Sequence, residues 1–315
     1  MIRVCLVGCG RIARVHAGHL AGHAVLSCCS RSRERAETLR AEFGGERVYD
    51  RYEEVLAAPG IDAVVICTPP EHHAAQAVAA LAAGKSVLLE KPACLDRAEL
   101  QALVQAAARH PDRLLMVAEN YYYKPSLRML RELVADGIVG AVRRVEVRKE
   151  YGQPAIGWRS AHGALLEGGV HFVALLSGVM EAAGEWAPTD VAAEFPGAEP
   201  GAPERRSVTR LRYAGGIVAE LRYAWDRPAI LRGTFQHSRI EGSEGSIAFE
   251  SNGLYAWVRR GRAGGPRLPG LRDLMGYREM TRDFLACLAG ERQTPFSDLR
   301  RAVRDLEIVL SAYGA

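Results

Sequence analysis

The sequence predicts an α/β protein with two domains: an N-terminal doubly wound parallel sheet and a C-terminal α+β domain with an open, largely antiparallel sheet. Three observations lead to this prediction. A glycine turn follows the first apolar segment, short buried strands alternate with helices up to residue 119, and period-two patterning takes over afterwards. A chain of 315 residues is also long for a single hydrophobic core. We therefore place the two domains at 1–119 and 120–315.

The composition excludes several classes of protein. Hydrophobic residues make up 48% and charged residues 25% of the chain, as in ordinary globular proteins. The net charge of +4 comes from 41 basic and 37 acidic residues, which is too balanced for a nucleic-acid-binding surface. The N-terminal apolar run is too short for a signal peptide, and no stretch approaches the roughly 20 apolar residues of a membrane span. We expect a cytoplasmic protein with no nucleic-acid or membrane partner.

The cysteines and the clustered histidines give no sign of a metal site. The seven cysteines show no CxxC or other metal-type spacing, and most lie in apolar runs, so we expect buried, reduced thiols. His16, His19 and His23 have no neighbouring Cys or acidic ligands and are interpreted as helix surface. The cysteines are Cys5, Cys9, Cys28, Cys29, Cys67, Cys94 and Cys287.

A glycine-rich turn follows the mostly apolar run from Ile2 to Val7. The segment Gly8-Cys9-Gly10-Arg11-Ile12-Ala13 leads into a helix-compatible stretch. Gly8 permits a tight turn, Gly10 removes a Cβ where a pyrophosphate must approach, and Ala13 lets the helix pack on the strand. The helix N-terminus offers free N–H groups to phosphates. This pattern predicts a dinucleotide site in a Rossmann domain, with Arg11 and Ile12 beside the phosphates.

Strands and helices continue to alternate after this turn, as in a parallel sheet with helices on both faces. The carboxyl ends of parallel strands line one edge, where a ligand binds. We predict strands near 24–30, 48, 62–67, 86–89 and 114–117, and helices near 33–43, 53–57, 74–83 and 97–108.

The end of the second strand predicts the cofactor. An NAD site places an acid there to bind the ribose hydroxyls. The residues in this chain are Ser30-Arg31-Ser32-Arg33, with no carboxylate among them. A hydroxyl and a guanidinium suit a 2'-phosphate through charge-assisted hydrogen bonds. The pattern favours NADP(H), and NAD(H) remains possible.

Two further motifs follow the fourth and fifth predicted strands: Thr68-Pro69-Pro70-Glu71-His72-His73 and Glu90-Lys91-Pro92. With the glycine turn and this spacing, they resemble the glucose-fructose oxidoreductase/inositol dehydrogenase/rhizopine-catabolism family (Gfo/Idh/MocA). The resemblance extends to Asn120-Tyr121-Tyr122-Tyr123-Lys124-Pro125, to Glu241 through Ser246 and to the closing helices between Phe284 and Tyr313.

The resemblance implies functional residues in the first domain and in the crossing segment. Lys91 would donate a hydrogen bond to a substrate oxygen beside the nicotinamide, which polarises a carbonyl or stabilises an alkoxide. The Lys91–Pro92 bond could be cis. Thr68, Pro69, His73, Glu90, Lys91 and Asn120 are expected near the cofactor, and Tyr121, Tyr122, Trp158, Arg159 and His171 near the substrate.

The other catalytic residues, Glu167 and His171, are expected in Leu165-Leu166-Glu167-Gly168-Gly169-Val170-His171, which opens a predicted helix running to Leu176. The family carries an acid, three residues and then a histidine in this region, and Glu167 and His171 match that spacing. On a helix, residues four apart share a face, so Glu167 can orient the imidazole and raise its basicity. His171 would then exchange the hydroxyl proton during hydride transfer.

The second domain shows strand-type alternation. Thr209, Leu211 and Tyr213 alternate with arginines, and a glycine pair then turns the chain into a second alternating run, which predicts an antiparallel hairpin. A helix is predicted at 125–135, further strands at 142–149, 191–195, 234–241 and 246–249, and loops at 197–203, 259–262 and 264–269. A large sheet commonly needs a partner to cover its apolar face, so we expect a homodimer or homotetramer through this sheet.

The resemblance leaves three functions to weigh. The first is an NADP(H)-dependent oxidoreductase that transfers hydride between nicotinamide and a secondary alcohol or ketone of a sugar, cyclitol or related polyol. The second is a glycoside-cleaving enzyme that uses bound NAD as a shuttle. The third is a non-catalytic NADP-binding regulator, which could lose Lys91 and His171 without consequence.

Overall fold

A computed structural model describes residues 1–154, 156, 161–261, 264–270 and 272–314, together with the backbone but not the side chain of Arg232. The chain divides into two compact units. Unit 1 contains Met1–Glu119 and Tyr277–Val303, and unit 2 contains Asn120–Gly276 and Arg304–Ala315. The predicted boundary between residues 119 and 120 is where the first segment of unit 1 ends. The predicted continuous domain 120–315 is wrong, because Tyr277–Val303 belongs to unit 1.

Unit 1 is built on a six-stranded parallel sheet in the order β3-β2-β1-β4-β5-β6. This order reverses direction between β1 and β4, which is the arrangement of a Rossmann fold. The four residues of β4 and the four of β5 are all buried, as the apolar runs predict. The strands are β1 (Arg3–Val7), β2 (Val25–Cys29), β3 (Arg47–Tyr49), β4 (Ala63–Ile66), β5 (Ser86–Leu89) and β6 (Leu115–Val117).

Most helices of unit 1 connect these strands, but one of them, α8, comes from near the C-terminal end of the sequence. Helix α8 packs against α1, where Tyr277 meets the ring of His16 edge-on at 6.0 Å between centroids. The amphipathic pattern of α8 does not reveal which domain it covers, which is why the domain prediction failed. The helices are α1 (Arg11–Leu20), α2 (Arg33–Phe43), α3 (Tyr52–Ala57), α4 (His73–Ala82), α5 (Arg97–Arg109) and α8 (Tyr277–Leu288).

Unit 2 is built on an eight-stranded sheet in the order β14-β13-β12-β11-β7-β10-β9-β8. Strands β7 and β10 run parallel and the other neighbours are antiparallel, as the largely antiparallel prediction requires. The strands are β7 (Val142–Glu150), β8 (Asp190–Glu194), β9 (Arg206–Arg212), β10 (Val218–Ala224), β11 (His237–Gly242), β12 (Ser246–Glu250), β13 (Ala256–Arg259) and β14 (Gly265–Arg267).

Strands β13 and β14 correct two loop predictions. Arg259 ends β13, and Gly265–Arg267 forms β14, although we predicted loops at 259–262 and 264–269. Arg262 lies outside the described residues. The three-residue β14 is the edge of the sheet, and a proline is tolerated there because an edge strand leaves some N–H groups unused. The glycine and proline of this segment led to the loop prediction, because nothing in its own sequence indicates that it pairs with β13.

The two faces of the unit 2 sheet differ sharply. One face carries the buried side chains of the predicted hairpin, among them Leu211, Ala219 and Leu221. The opposite face carries crossed ion pairs: Arg210 contacts Glu194 and Glu220 at 2.5 and 3.0 Å, and Glu220 also contacts Arg222 at 2.7 Å. Burial opposes ionisation of Glu220, but its bonds to the two arginines hold its pKa below the usual value. The ion-paired face is the one that the alternating arginines predict, and association through this sheet stays a prediction.

Helices α6 (Pro125–Ala135), α7 (Val170–Ala182) and α9 (Leu299–Ala312) complete the chain, and the boundary between the two units falls within α9. A continuous helical segment, Leu165–Ala182, is long and apolar enough to span a membrane by length and composition. This finding corrects the expectation that no such stretch exists. Of this segment 83% is buried within the protein, as in the core helix of a globular domain.

Candidate active site

The glycine turn of unit 1 has the conformation that the motif predicts. Gly8 has a φ of +90°, and a Cβ on it would meet the backbone of Cys67 at 2.8 Å, so only glycine fits this turn. Gly10 is exposed, and a Cβ placed on it would meet nothing within 4 Å. It is also the N-cap residue of α1, whose first residues Arg11 and Ile12 are at least partly exposed. The start of α1 is therefore open to solvent, and the free N–H groups of a helix N-terminus suit a phosphate.

Arg31 and Arg33, in the segment after β2, differ in their ion pairs. Ser32 caps α2 by accepting a hydrogen bond from Arg35 N at 3.4 Å, and its own N–H donates to Ser30 Oγ at 3.1 Å. Arg33 is held by Asp50 at 2.7 Å and Glu37 at 3.6 Å. Arg31 is exposed and has no ion pair among the described residues. Its guanidinium is therefore the one available to an added anion.

His73 joins the two motif loops of unit 1. Its side chain is 1% exposed, and its ring nitrogens lie 2.8 Å from Thr68 O and 2.7 Å from Pro92 O. Burial lowers the pKa of His73, against the opposite effect of the two carbonyl oxygens. Pro69 precedes the short helical turn that leads to His73. The arrangement favours an indirect role for His73, which positions the loops around a ligand.

The Glu90-Lys91-Pro92 motif follows β5 directly. Glu90 is 6% exposed and accepts a hydrogen bond from His16 at 2.7 Å. Burial opposes ionisation of Glu90, but this bond and the nearby positive charge of Lys91 keep its pKa below the usual value. Lys91 is partly exposed, and the Lys91–Pro92 peptide bond is cis, which the sequence analysis had left open. The interpretation of His16 as helix surface is wrong, because the ring is fully buried beneath the motif.

In unit 2, the predicted helix around Glu167 begins with an irregularity. Residues Leu165–Gly169 form a π-helical turn, and α7 starts at Val170. Few proteins contain π-helical turns, but many of the known examples lie at functional sites. Glu167 is 1% exposed, whereas His171 one turn later is partly exposed. The turn therefore places a buried acid near the base of a helix that presents an accessible imidazole.

Tyr121 contacts two nitrogen-bearing side chains of unit 2, His171 and Lys124. Its ring stacks on His171 with centroids 4.7 Å apart and planes 14° apart. The ammonium of Lys124 lies 4.3 Å from the centre of the same ring and donates to Asn252 O at 2.7 Å. Stacking of this kind restricts the imidazole to one orientation. The stack therefore limits the orientations that the His171 ring can adopt.

Aromatic side chains pack beside the π-helical turn. The Tyr223 hydroxyl accepts a hydrogen bond from Trp225 Nε1 at 2.6 Å and lies 3.2 Å from the Tyr151 hydroxyl. A Cβ on Gly168 would approach the Tyr223 hydroxyl to 2.1 Å, so a glycine is required at this contact. Burial raises the pKa of Tyr223 well above its usual value. Tyr223 therefore remains a neutral hydroxyl in this cluster.

A second buried lysine lies at the end of β7. Lys149 is 5% exposed and donates to Asn252 Oδ1 at 2.6 Å and to Gly233 O at 3.1 Å. Burial lowers the pKa of Lys149 to about 8, although Glu250 favours its charged form. Alternation indicated that one side of β7 is buried, but no sequence signal indicated that Lys149 and Lys124 both bind Asn252.

Several predicted site residues have structural partners. Tyr122 is 3% exposed, and its hydroxyl bonds to Asp305 and accepts from Arg304 at 2.5 Å. This arrangement favours a structural role for Tyr122 over direct contact with substrate. Asn120 is 2% exposed and donates to Met275 O at 2.7 Å. Trp158 and Arg159 lie outside the described residues.

Comparison with known proteins gives the family. A model described as "Oxidoreductase family, NAD-binding Rossmann fold" matches residues 2–119, and the "GFO/IDH/MocA C-terminal domain" matches residues 127–248. The chain belongs to the Gfo/Idh/MocA oxidoreductase family. Both matches agree with the resemblance of the motifs and with the two sheets.

Among the described residues, no group of three or more His, Cys, Asp or Glu could hold a metal ion.

The chain matches individual relatives over different shares of its length. The chain is 32% identical to mouse trans-1,2-dihydrobenzene-1,2-diol dehydrogenase over 62% of this chain and 58% of the mouse protein. It is 34% identical to inositol 2-dehydrogenase of Rhizobium meliloti over 46% of this chain and 44% of that protein. The matches thus span about half the length of these curated relatives. UDP-N-acetylglucosamine 3-dehydrogenase of Acidithiobacillus ferrooxidans shares the fold, with a TM-score of 0.84, 24% identity and coverage of 100% and 97%.

Proposed function

We propose that this protein is an NADP(H)-dependent oxidoreductase that transfers hydride between nicotinamide and a secondary alcohol or ketone of a sugar, cyclitol or related polyol. One relation in unit 1 carries the proposal. The glycine turn follows β1 and Lys91 follows β5, and only β4 separates these two parallel strands. Their carboxyl ends therefore lie on one sheet edge, roughly 10 Å apart. A phosphate-type turn and a partly exposed ammonium at this spacing suit a cofactor and its reacting substrate.

The residues of unit 1 fit a dinucleotide. Gly8 and Gly10 would admit the pyrophosphate, and the N–H groups at the start of α1 would bind its oxygens. Ser30 and Arg31 would bind a 2'-phosphate, since Arg31 is exposed and Arg33 is already held by Asp50. When bound, the nicotinamide ring supplies or accepts the hydride.

Two side chains would act on the substrate itself. Lys91 donates a hydrogen bond to the reacting oxygen, which stabilises negative charge on it. His171 removes the hydroxyl proton in oxidation or returns it in reduction, with Tyr121 fixing the plane of its ring. Glu167 supports the imidazole from the preceding turn. The names of the mouse and Rhizobium relatives support the substrate class, because a dihydrodiol and inositol both carry neighbouring secondary hydroxyls.

The proposal is tested with Lys91→Ala and His171→Ala. Each variant should lower kcat by roughly 10²–10⁴-fold because it removes a group that acts on the reacting oxygen. The dissociation constant for NADPH should change little. His237→Ala is the matched control, since this exposed histidine lies on β11 and bonds to Tyr255. Turnover is followed by NADPH absorbance with a panel of sugars, cyclitols and ketones.

The outcomes separate the competing functions. Undiminished turnover in both variants would remove the proposed mechanism. Product formation without net change in the cofactor would favour the glycoside-cleaving shuttle. Binding of NADPH without turnover of any panel member, in wild type and variants alike, would favour a regulator. A homo-oligomer through the unit 2 sheet and a cytoplasmic location stay predictions.

A further inference from the structure

Five of the seven cysteines surround the glycine turn of unit 1. Cys5 lies on β1, Cys28 and Cys29 end β2, and Cys67 follows β4. All four are buried, whereas Cys9, between Gly8 and Gly10, is partly exposed. Parallel pairing of Leu6 with Cys28 and of Val7 with Cys29 fixes the end of β2 beside the start of the turn. The turn therefore carries one partly exposed thiol, and the strands around it carry four buried ones.

Within this group, Cys9 lies beside the end of β2, which carries Cys28. Cys9 Sγ lies 3.6 Å from Cys29 O, and each of the two thiols shifts the pKa of the other. Gly8 N donates to the same carbonyl at 2.8 Å, which ties the turn to the end of β2. The two sulfur atoms are thus held near each other by the backbone of the turn itself.

The two thiols have different chemical character. The Cys28 thiol lowers the pKa of Cys9, although burial opposes this effect. The Cys9 thiol and burial raise the pKa of Cys28. A partly exposed thiol with a lowered pKa next to a second thiol is the arrangement of reversible redox sites, because the thiolate is the species that attacks an oxidant.

We propose that Cys9 and Cys28 form a reversible redox pair, and that their disulfide prevents the glycine turn from binding a dinucleotide. The inference adds regulation to the proposed function and rests on it for the identity of the ligand. The oxidant is a small peroxide, which can reach the exposed side of Cys9.

The chemistry proceeds in two balanced steps. The Cys9 thiolate attacks one oxygen of hydrogen peroxide, which breaks the O–O bond, expels hydroxide and forms a sulfenic acid. The Cys28 sulfur then attacks the Cys9 sulfur, the S–O bond breaks, and the departing hydroxide takes the Cys28 proton to form water. The two thiols lose two electrons and two protons in total, and the peroxide becomes two molecules of water. A dithiol reductant reverses the change by exchange.

The link to cofactor binding follows from the position of Cys9. Gly8 already lies so close to Cys67 that an added Cβ would clash at 2.8 Å, so the turn has little room to move. A bond from Cys9 to Cys28 would pull the middle of the turn towards β2 and redirect the N–H groups that a phosphate needs. Coupling between two events is reciprocal, so bound NADPH should also protect Cys9 from oxidation.

The first measurement concerns the bond alone and does not depend on activity. The full-length protein is treated with hydrogen peroxide, its remaining thiols are blocked, and its peptides are examined by mass spectrometry. We expect a Cys9–Cys28 cross-link that a dithiol removes. Cys9→Ser should abolish it, and Cys28→Ser should stop at a sulfenic acid that dimedone traps. Cys287→Ser, a change in α8, is the control and should cross-link like the wild type.

The second measurement is NADPH binding by calorimetry before and after oxidation. We expect the dissociation constant to rise at least about tenfold on oxidation and to recover after reduction. NADPH at about 100 times its dissociation constant should slow cross-linking about 100-fold, because only the free protein reacts. Absence of the cross-link, a cross-link between other cysteines, or unchanged binding by the cross-linked protein would overturn the inference. Failure of the reduced protein to bind any dinucleotide would instead overturn the proposed function, while the cross-link would still be measured.

Discussion

The phenol ring of Tyr121 lies flat against the imidazole of His171, with centroids 4.7 Å apart and planes inclined by 14°. The ammonium of Lys124 lies 4.3 Å from the centre of the same ring. Tyr121 comes from the helical turn Asn120–Tyr123, whereas His171 belongs to α7. The orientation of the proposed acid–base group is therefore set by a residue about fifty positions earlier in the chain.

This stacking predicts a contrast between two variants at one position. Tyr121→Ala removes the ring that holds His171, and kcat should fall by about 2–10-fold, as expected for loss of an aromatic pair. Tyr121→Phe keeps the ring and should retain most of the turnover. Steady-state kinetics with NADPH in excess measure the effect. Equal losses in both variants would show that the hydroxyl, and not the stacking, matters.

The tip after β2 predicts a matched pair of arginine variants. Arg31→Ala should raise the dissociation constant for NADPH by about 10–100-fold and leave that for NADH almost unchanged, because one charge-assisted hydrogen bond to the 2'-phosphate is lost. Arg33→Ala should affect NADPH much less, since Asp50 and Glu37 already hold Arg33. Titration calorimetry with both cofactors makes the comparison. A loss of NADPH binding only in the Arg33 variant would contradict the assignment.

The buried His16–Glu90 contact predicts a pH-dependent contribution to stability. The folded-state pKa of Glu90 lies below its usual value of 4.5, so its contribution is fully present above that pH. It is lost as the pH falls through the lower folded pKa. Glu90→Gln should therefore lower the free energy of unfolding by about 1–3 kcal/mol at neutral pH, with a smaller difference in acid. Urea denaturation at several pH values measures this change.

The control for this prediction is Glu34→Gln, which alters an exposed acid in the first turn of α2. It should change the free energy of unfolding only slightly at every pH. A deficit in the Glu90 variant that stays constant down to strongly acidic pH would contradict the role of ionisation.

The buried partners of Tyr122 predict a loss of stability without a loss of chemistry. Tyr122→Phe removes the hydroxyl that Arg304 and Asp305 share. Burial raises the pKa of Asp305, against the stabilising effects of Arg304 and Tyr122, so the variant loses part of what supports this buried acid. The free energy of unfolding should fall by about 1–3 kcal/mol, and kcat of the folded enzyme should be unchanged. A reduced kcat with normal stability would instead favour the predicted substrate contact.

The close approach at Gly168 predicts a steric effect on the π-helical turn. Gly168→Ala would place a methyl group 2.1 Å from the Tyr223 hydroxyl, so the turn or β10 must shift. The expected cost is about 1–3 kcal/mol of unfolding free energy. The control is Ala182→Gly, which changes the far end of α7; Gly184→Ala is unsuitable because Gly184 has a φ of +87°. Thermal unfolding of each variant gives the comparison.

Most of the first domain could be predicted because its signals are local. Helix α2 and strand β5 begin and end where the sequence predicts, since α2 lies between the capping Ser32 and Gly44 and the apolar run of β5 stops at Glu90. The hairpin of β9 and β10 was also predicted from period-two alternation. The domain assignment of α8 failed, because a helix with one apolar face can cover any complementary surface.

The candidate site was predicted only in part for the same reason. Motifs identified Lys91, Glu167 and His171 as candidates, but they did not reveal that His16 lies beneath Glu90 or that Tyr121 stacks on His171. Such contacts join residues far apart in the chain, and single positions such as His16 look like ordinary helix surface in the sequence.

The sequence by itself determined the alternating strands and helices, the glycine turn and the identity of the chemical groups, because each depends on a few neighbouring residues. The tertiary structure decided which side chains became buried and what they touch. In the folded protein α8 belongs to unit 1, and His16 and Lys149 are buried. Arg33 pairs with an acidic neighbour, whereas Arg31 is exposed. Burial and charge pairing depend on packing between distant segments, so they appear only once the chain has folded.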